Sequence, residues 1–170
     1  MNMIKSGKVG FIWKFECFLP DGTRKWESVE ENLIPDEGRD YLLNAALNAG
    51  SQLSSWFIGL YSGNYSPVAG DTIATFPASS TEITTAYSEA NRVALIDGAL
   101  VAGLWANVAS PALFTFTDAS TTVRGGFISS GSVKGGTTGV LLSAVLAGSP
   151  KTVLAGEVLK VTTGLSLVTA

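Results

Sequence analysis

The residues able to do chemistry in this chain are few and badly spaced for it. Its 170 residues contain no histidine and one cysteine, Cys17. The commonest general base and metal ligand is therefore missing, and with it every Ser/His or Cys/His nucleophile pair. Cys17, without an activating partner of the usual type, reads as a small apolar residue buried in a strand. Lys134 stands among Ser129, Ser130 and Ser132, the residue types of a Ser–Lys nucleophile, but a Gly-rich loop seldom desolvates a lysine enough to make it a base. The same loop, "GSVKGGTTG", has the glycines of a phosphate cradle in the wrong order, because Lys134 precedes them and a strand follows.

Glycoside hydrolysis needs two carboxylates facing each other across a sugar. Glu30, Glu31, Asp36, Glu37 and Asp40 instead crowd into a strand end and a helix start, where capping and the helix dipole account for them. Asp21 and Asp97 read as turn residues, and no spacing matches a calcium or zinc site. The expectation is a chain with no catalytic, cofactor-binding or metal-binding residues, and not an enzyme. The aromatic residues remain: Trp13, Trp26, Trp56, Trp105, Tyr41, Tyr61, Tyr65 and Tyr87. Most read as core. Trp26 lies between charged neighbours and Tyr65 in the loop "GNYSP", and these two, with Tyr61 and Tyr87, are the candidates for contact with a partner.

Composition narrows the partners. With 46% hydrophobic and only 15% charged residues, surface polarity must come from Ser, Thr, Gly and Asn, which suits β-sheet faces. A net charge of -3 without a basic stripe argues against nucleic acid, whose affinity comes from Lys and Arg on phosphates. The longest weakly polar run, "GALVAGLWANVASPALF", is broken by Gly103, Asn107 and Pro111 and is too short for a membrane helix. A single cysteine needs no oxidising compartment, so synthesis in a reducing cytoplasm is expected.

The elements that must position these residues are nearly all strands. "KVGFIWKFECF", "LPDGTRK" and "KWESVEE" read as a hairpin. "IPDEGRDYLLNAALNAG" is the one helical signal, with Pro35 in the first turn, Asp36 and Glu37 at the positive end and Gly50 as the stop. Its apolar face is Tyr41, Leu42, Ala45 and Leu47 or Ala46. "WFIGLYS", "NRVALID", "ALFTFT", "TTVRGGFISS", "GVLLSAVL" and "KTVLAGEVLKVTTGLSLVT" follow as short strands, separated by "DAS", "GSVKGGTTG" and "AGSP", while "PASSTEITT" reads as a loop. The closing run alternates, Val158, Lys160 and Thr162 against Glu157, Leu159 and Val161. Eight or nine strands with one helix predict a mainly β protein: an antiparallel β-sandwich, jelly-roll-like, with one short α-helix packed on or beside the sheet. Residues 1–170 form one sandwich domain, with residues 1–8 an N-terminal arm.

The runs "NLIPDEGRDYLLNAAL", "WFIGLYSGNYSPVAGDT" and "FTFTDASTTVRGGFISSGSVKGGTTGVLLSAVLAGSPKTVLAGEVLKVTTGLSL" resemble small structural proteins of tailed bacteriophages, in particular head decoration, or cement, proteins. The resemblance covers about Asn32 to the C-terminus and implies a jelly-roll-like subunit on the outer surface of the virion head. Its partners would be the major capsid protein and copies of itself, as a dimer or trimer at a symmetry axis, with no nucleic acid and no membrane. It transfers no catalytic residues. The alternative is a phage tail-tip or receptor-binding module that recognises bacterial surface carbohydrate through Tyr61, Tyr65 and Tyr87.

Overall fold

Alternating apolar and charged residues in "FIWKFECF" and "RKWESVEE" build the first two strands of the computed structural model, which describes residues 9–166. The arm expected over residues 1–8 and the last residues of the closing run lie outside the described residues. β1 (Phe11–Phe18) and β2 (Arg24–Glu31) pair antiparallel. Gly22, at φ +84, supplies the left-handed residue of their turn, and Asp21 Oδ1 accepts a hydrogen bond from the Thr23 N–H at 2.8 Å. On β1 the inward residues Phe11, Trp13, Phe15 and Cys17 are at most 2% exposed.

Helix α1 (Asp36–Leu47) follows, with Pro35 at its N-cap and Asp36 and Glu37 in its first turn. Then come β3 (Trp56–Tyr61), the short helix α2 (Phe76–Ser80), β4 (Val93–Leu95), β5 (Leu104–Ala106), β6 (Ala112–Thr115), β7 (Thr121–Ser129), β8 (Leu141–Val153) and β9 (Val158–Ser166). The strands form two antiparallel sheets. Sheet A runs β2-β1-β9, and β5 and β6 share the far edge of β9; sheet B runs β4-β3-β7-β8. With 43% strand and 11% helix, the protein is mainly β. The core lies between the sheets, where Trp13, Phe15, Phe114, Leu159 and Val161 meet Ile58, Leu60, Ile128 and Val145.

Three local expectations change. "PASSTEITT" supplies α2, which brings the described helices to two. Pro77 is tolerated in a first turn, Phe76 is fully buried, and Ser80 Oγ donates to Phe76 O at 2.7 Å. "AGSP" does not separate two strands, because β8 runs through it. Pro150 is accommodated there since β8 is the sheet's edge strand, where a missing N–H can face away from the ladder. The stop of α1 is shifted as well: the left-handed residue is Ala49, at φ +54, while the Asn48 and Gly50 N–H groups both donate to Asn44 O.

Gly38 docks α1. A Cβ there would lie 2.4 Å from Leu142 O, so only glycine lets the helix rest directly on the β8 backbone. Glu37 reinforces the contact, its Oε2 accepting from Leu141 N at 2.7 Å and Ile73 N at 2.9 Å.

Sheet B and its loops are tied by a buried ion pair. Arg92 and Glu82 have side chains 0% and 2% exposed. Arg92 Nε donates to Glu82 Oε1 and Nη2 to Oε2, each at 2.8 Å. The remaining guanidinium N–H groups go to Ser129 Oγ, Gly131 O and Gly136 O, and the Phe127 ring lies 4.9 Å away. Glu82 Oε2 also accepts from Gly135 N. Removing one member strands the other without water. Arg92→Ala is expected to lower unfolding free energy by about 3–5 kcal/mol in urea titrations, and Arg92→Met combined with Glu82→Gln to recover part of that loss. Ala49→Gly is expected to stabilise by about 1 kcal/mol by relieving the left-handed conformation.

Candidate functional site

Most of the polar residues singled out from the sequence are occupied in holding the fold; Glu31 and Asp40 are exposed. Lys134 Nζ lies 3.6 Å from the centre of the Tyr87 ring and donates to Tyr87 O at 3.2 Å. Ser129 Oγ donates to Gly131 O, and Ser130 Oγ accepts from Val140 N. Lys134 is therefore turned towards an aromatic ring rather than a serine. Burial lowers its pKa, against the opposing pull of Glu89 and Glu82.

The carboxylates diverge. Glu30 Oε1 accepts from Gly148 N at 3.0 Å and from Ser28 Oγ. Glu37 serves the backbone as described, and Asp36 pairs with Arg39 at 2.8 Å. Among the described residues no group of three or more His, Cys, Asp or Glu side chains is arranged to hold a metal ion.

Cys17 is fully buried in β1, and its thiol donates to Glu157 Oε2 at 3.4 Å. Burial first, then the Glu157 charge, pushes it up to about 12, so almost none of it is the reactive thiolate at neutral pH. Glu157 is itself held ionised against burial by Lys25 at 2.7 Å and by the Leu154 N–H.

Two of the four contact candidates are corrected by their burial. Tyr61 is 0% exposed, and its hydroxyl donates to Val145 O at 2.8 Å. Tyr87 is 2% exposed and packs edge-on against Phe114, with ring centres 5.1 Å apart. Burial raises the pKa of both phenols. Each sits on the inward side of a strand or bridge, Tyr61 at the end of β3, in the strand expected there, and Tyr87 opposite Phe116. Tyr65 and Trp26 remain half-buried. Tyr65 Oη donates to Asp71 Oδ1 at 2.5 Å, and Trp26 Nε1 donates to Thr152 O at 3.3 Å, linking β2 to β8.

The concave surface lies elsewhere. A groove of about 450 Å³ opens between α1 and the strand ends, walled by Tyr41 and Leu42 of α1, Trp56, Trp105, Phe11 and Leu165, with Asp97 at its edge. Only Gly38 of α1 is fully buried, and Tyr41 and Leu42 pack against the core while also lining the groove, with Ala45 beside them. Leu47 is 80% exposed, so the expected apolar face covers the sheet only in part. Asp97, expected in a turn, lies in a connection with no turn at Asp97–Gly98; its Oδ2 accepts from Trp105 Nε1 at 2.6 Å, and Tyr41 Oη accepts from Leu53 N at 2.8 Å. Exposed Leu43, Leu53, Ile96, Leu100, Val101 and Leu104 lie along the same elements. Trp56, Trp105 and Asp97 share this site although they are far apart in sequence; the signal that pointed to them was only their residue type.

A second surface is the outer face of sheet A. Glu16, 6% exposed, sits there beneath Lys14 at 3.0 Å, Lys160 at 3.1 Å and Arg24 at 3.3 Å, with exposed Ile12, Val29 and Leu113 around the cluster. Compared with protein-family models, curated proteins and solved structures, the chain gives no match.

Burial opposes ionisation of Glu16, but the hydrogen bonds from Lys14 and Lys160 outweigh it and hold the carboxyl at about 2, below the usual 4.5. Its contribution to stability is therefore complete above about pH 4.5 and is lost as pH falls towards 2. Acid titration of unfolding free energy is expected to show this loss, and Glu16→Gln to remove about 1–2 kcal/mol of it, the lysines being partly screened by solvent.

Proposed function

We propose that the protein is a non-enzymatic structural component of a tailed-phage virion: a head decoration or cement protein, jelly-roll-like, that binds across adjacent major capsid subunits and stabilises the shell. It is made in the bacterial cytoplasm and assembles with itself, as a dimer or trimer, on the outer surface of the head. The observation that carries the reading is the pair of surfaces with exposed apolar side chains on one body, Ile12, Val29 and Leu113 on the outer face of sheet A, and Leu53 and Leu100 in the wall of the groove.

Two modest surfaces on one body can bridge two neighbours, and repetition over a lattice multiplies weak contacts. The pairing of charges supports the reading, because Glu16, Glu157, Arg92 and Glu82 all have partners within the chain, and Lys14, Arg24 and Lys160 beside the exposed apolar residues of sheet A are already paired with Glu16.

The tail-tip reading drew on Tyr61, Tyr65 and Tyr87, of which two are core. Its remaining support is the groove, where Tyr41, Trp56 and Trp105 offer aromatic faces to a sugar ring beside Asp97 and Gln52.

Purified protein mixed with expanded, undecorated heads is expected to co-sediment at a fixed saturating ratio and to raise the temperature at which the heads rupture. Ile12→Glu with Val29→Glu is expected to weaken that binding by about tenfold or more, equivalent to about 1.4 kcal/mol, without lowering the melting temperature of the free protein. Absence of co-sedimentation, with binding to isolated tails instead, decides for the tail-tip reading.

A further inference from the structure

The groove beside α1 is an aromatic container with a carboxylate at its edge. Tyr41 and Trp56 meet edge-on with ring centres 5.2 Å apart, as do Phe11 and Trp105 at 6.0 Å. Tyr41, Trp56 and Trp105 are half-buried, so part of each ring stays open to the groove. Asp97 gives its Oδ2 to Trp105 Nε1, which leaves Oδ1 for a ligand. Among the described residues no lysine or arginine lines the groove.

Elsewhere the molecule covers its own aromatic faces with cations: Arg92 over Phe127 at 4.9 Å, Lys134 over Tyr87 at 3.6 Å and Lys151 over Trp26 at 5.7 Å. Arg92 sets a guanidinium between a ring and the carboxylate of Glu82. The groove offers the same ring and carboxylate, with the cation still to be supplied. A guanidinium is weakly hydrated, stacks flat on aromatic faces and donates to carboxylates, so it suits this place better than an ammonium. The volume of about 450 Å³ falls within the roughly 300–1,000 Å³ of ligand sites, room for a basic side chain with apolar neighbours. Beyond Gln52, Ser54 and Asp97 the wall is leucine, alanine and aromatic surface, which leaves most hydroxyls of a sugar without partners. Two copies placed groove to groove would bring two carboxylates into one apolar contact, which disfavours self-pairing.

We propose that the groove docks an apolar segment of a partner protein through one arginine, its guanidinium against Trp56 and Trp105 and donating to Asp97 Oδ1, with the flanking apolar side chains on Leu53 and Leu100. The inference needs only a groove open to a partner, and it stands whether or not that partner is a capsid subunit.

The test uses the full chain, isotope-labelled for indole N–H resonances, and two capped peptides, acetyl-Leu-Arg-Leu-amide and acetyl-Leu-citrulline-Leu-amide, which differ in charge at nearly constant shape. Trp56→Phe and Trp105→Phe assign the signals. The arginine peptide is expected to shift the Trp56 and Trp105 resonances saturably and to leave unmoved those of Trp13 and Trp26, which donate to Ser143 Oγ and Thr152 O. The citrulline peptide is expected to bind about tenfold more weakly. Asp97→Asn, whose carbonyl still accepts from Trp105, is expected to remove most of that difference. Equal affinity of the unaltered protein for the two peptides, no shift at millimolar peptide, or shifts confined to Trp26 overturns the proposal. Shifts of the Trp56 and Trp105 signals by methyl glucoside instead of the peptides overturn it in favour of a sugar, and shifts with protein concentration alone overturn it in favour of a second copy.

Discussion

Sheet A depends on its last strand. β9 pairs along its whole length with β1 on one side, from Phe11 opposite Leu165 to Phe18 opposite Val158, and β5 and β6 pair with nothing else in that sheet. Without β9 the sheet reduces to a hairpin and two short unpaired segments. A two-stranded hairpin is marginal by itself in water, so the N-terminal strands cannot settle until residues near 160 arrive. The alternation of β9 follows from this central place: Glu157, Leu159, Val161 and Thr163 are buried, and Val158, Lys160 and Thr162 are half-buried on the opposite face. Asn107 seals the gap between β5 and β6 on its edge, donating to Val161 O at 3.1 Å and accepting from Thr163 N at 2.7 Å.

The ionised groups inside the molecule act as staples between segments distant in sequence. Arg92 joins α2's neighbour Glu82 to the 131–136 loop, Lys25 of β2 reaches Glu157 before β9, and Glu16 is shared by Lys14, Arg24 and Lys160. Each ion is compensated by direct partners, as burial demands. A carboxylate already shared among cations, or a guanidinium whose N–H groups are all taken, is not available to a substrate.

What is left for interaction is mixed on one side and apolar on the other. The outer face of sheet A sets exposed Ile12, Val29 and Leu113 among paired charges, and the groove at the end of α1 presents leucine and aromatic surface on a body whose backbone is held by the two sheets. Helix α1 rests closely on the sheet at Gly38, and Tyr41 and Leu42 in its next turn pack on the core with one side while lining the groove.

The strand-rich class, the β1–β2 hairpin, the position of α1, the alternation of β9 and the scarcity of reactive groups were all legible in the sequence, because each depends on residues within a few positions of one another or on composition alone. Period-two patterning and turn residues act locally. The fate of individual side chains was not legible. Tyr61 and Tyr65 lie four residues apart beside the same loop, yet one is sealed in the core and the other stands partly in solvent. Nothing in the residues next to Arg92 marks it for burial; the fold puts Glu82, Ser129 and the 131–136 carbonyls around it. The groove required Tyr41, Trp56, Asp97 and Trp105 to meet. Burial and convergence are set by which strands become neighbours, and that pairing is decided by the summed packing of both sheets, which no short stretch of residues contains.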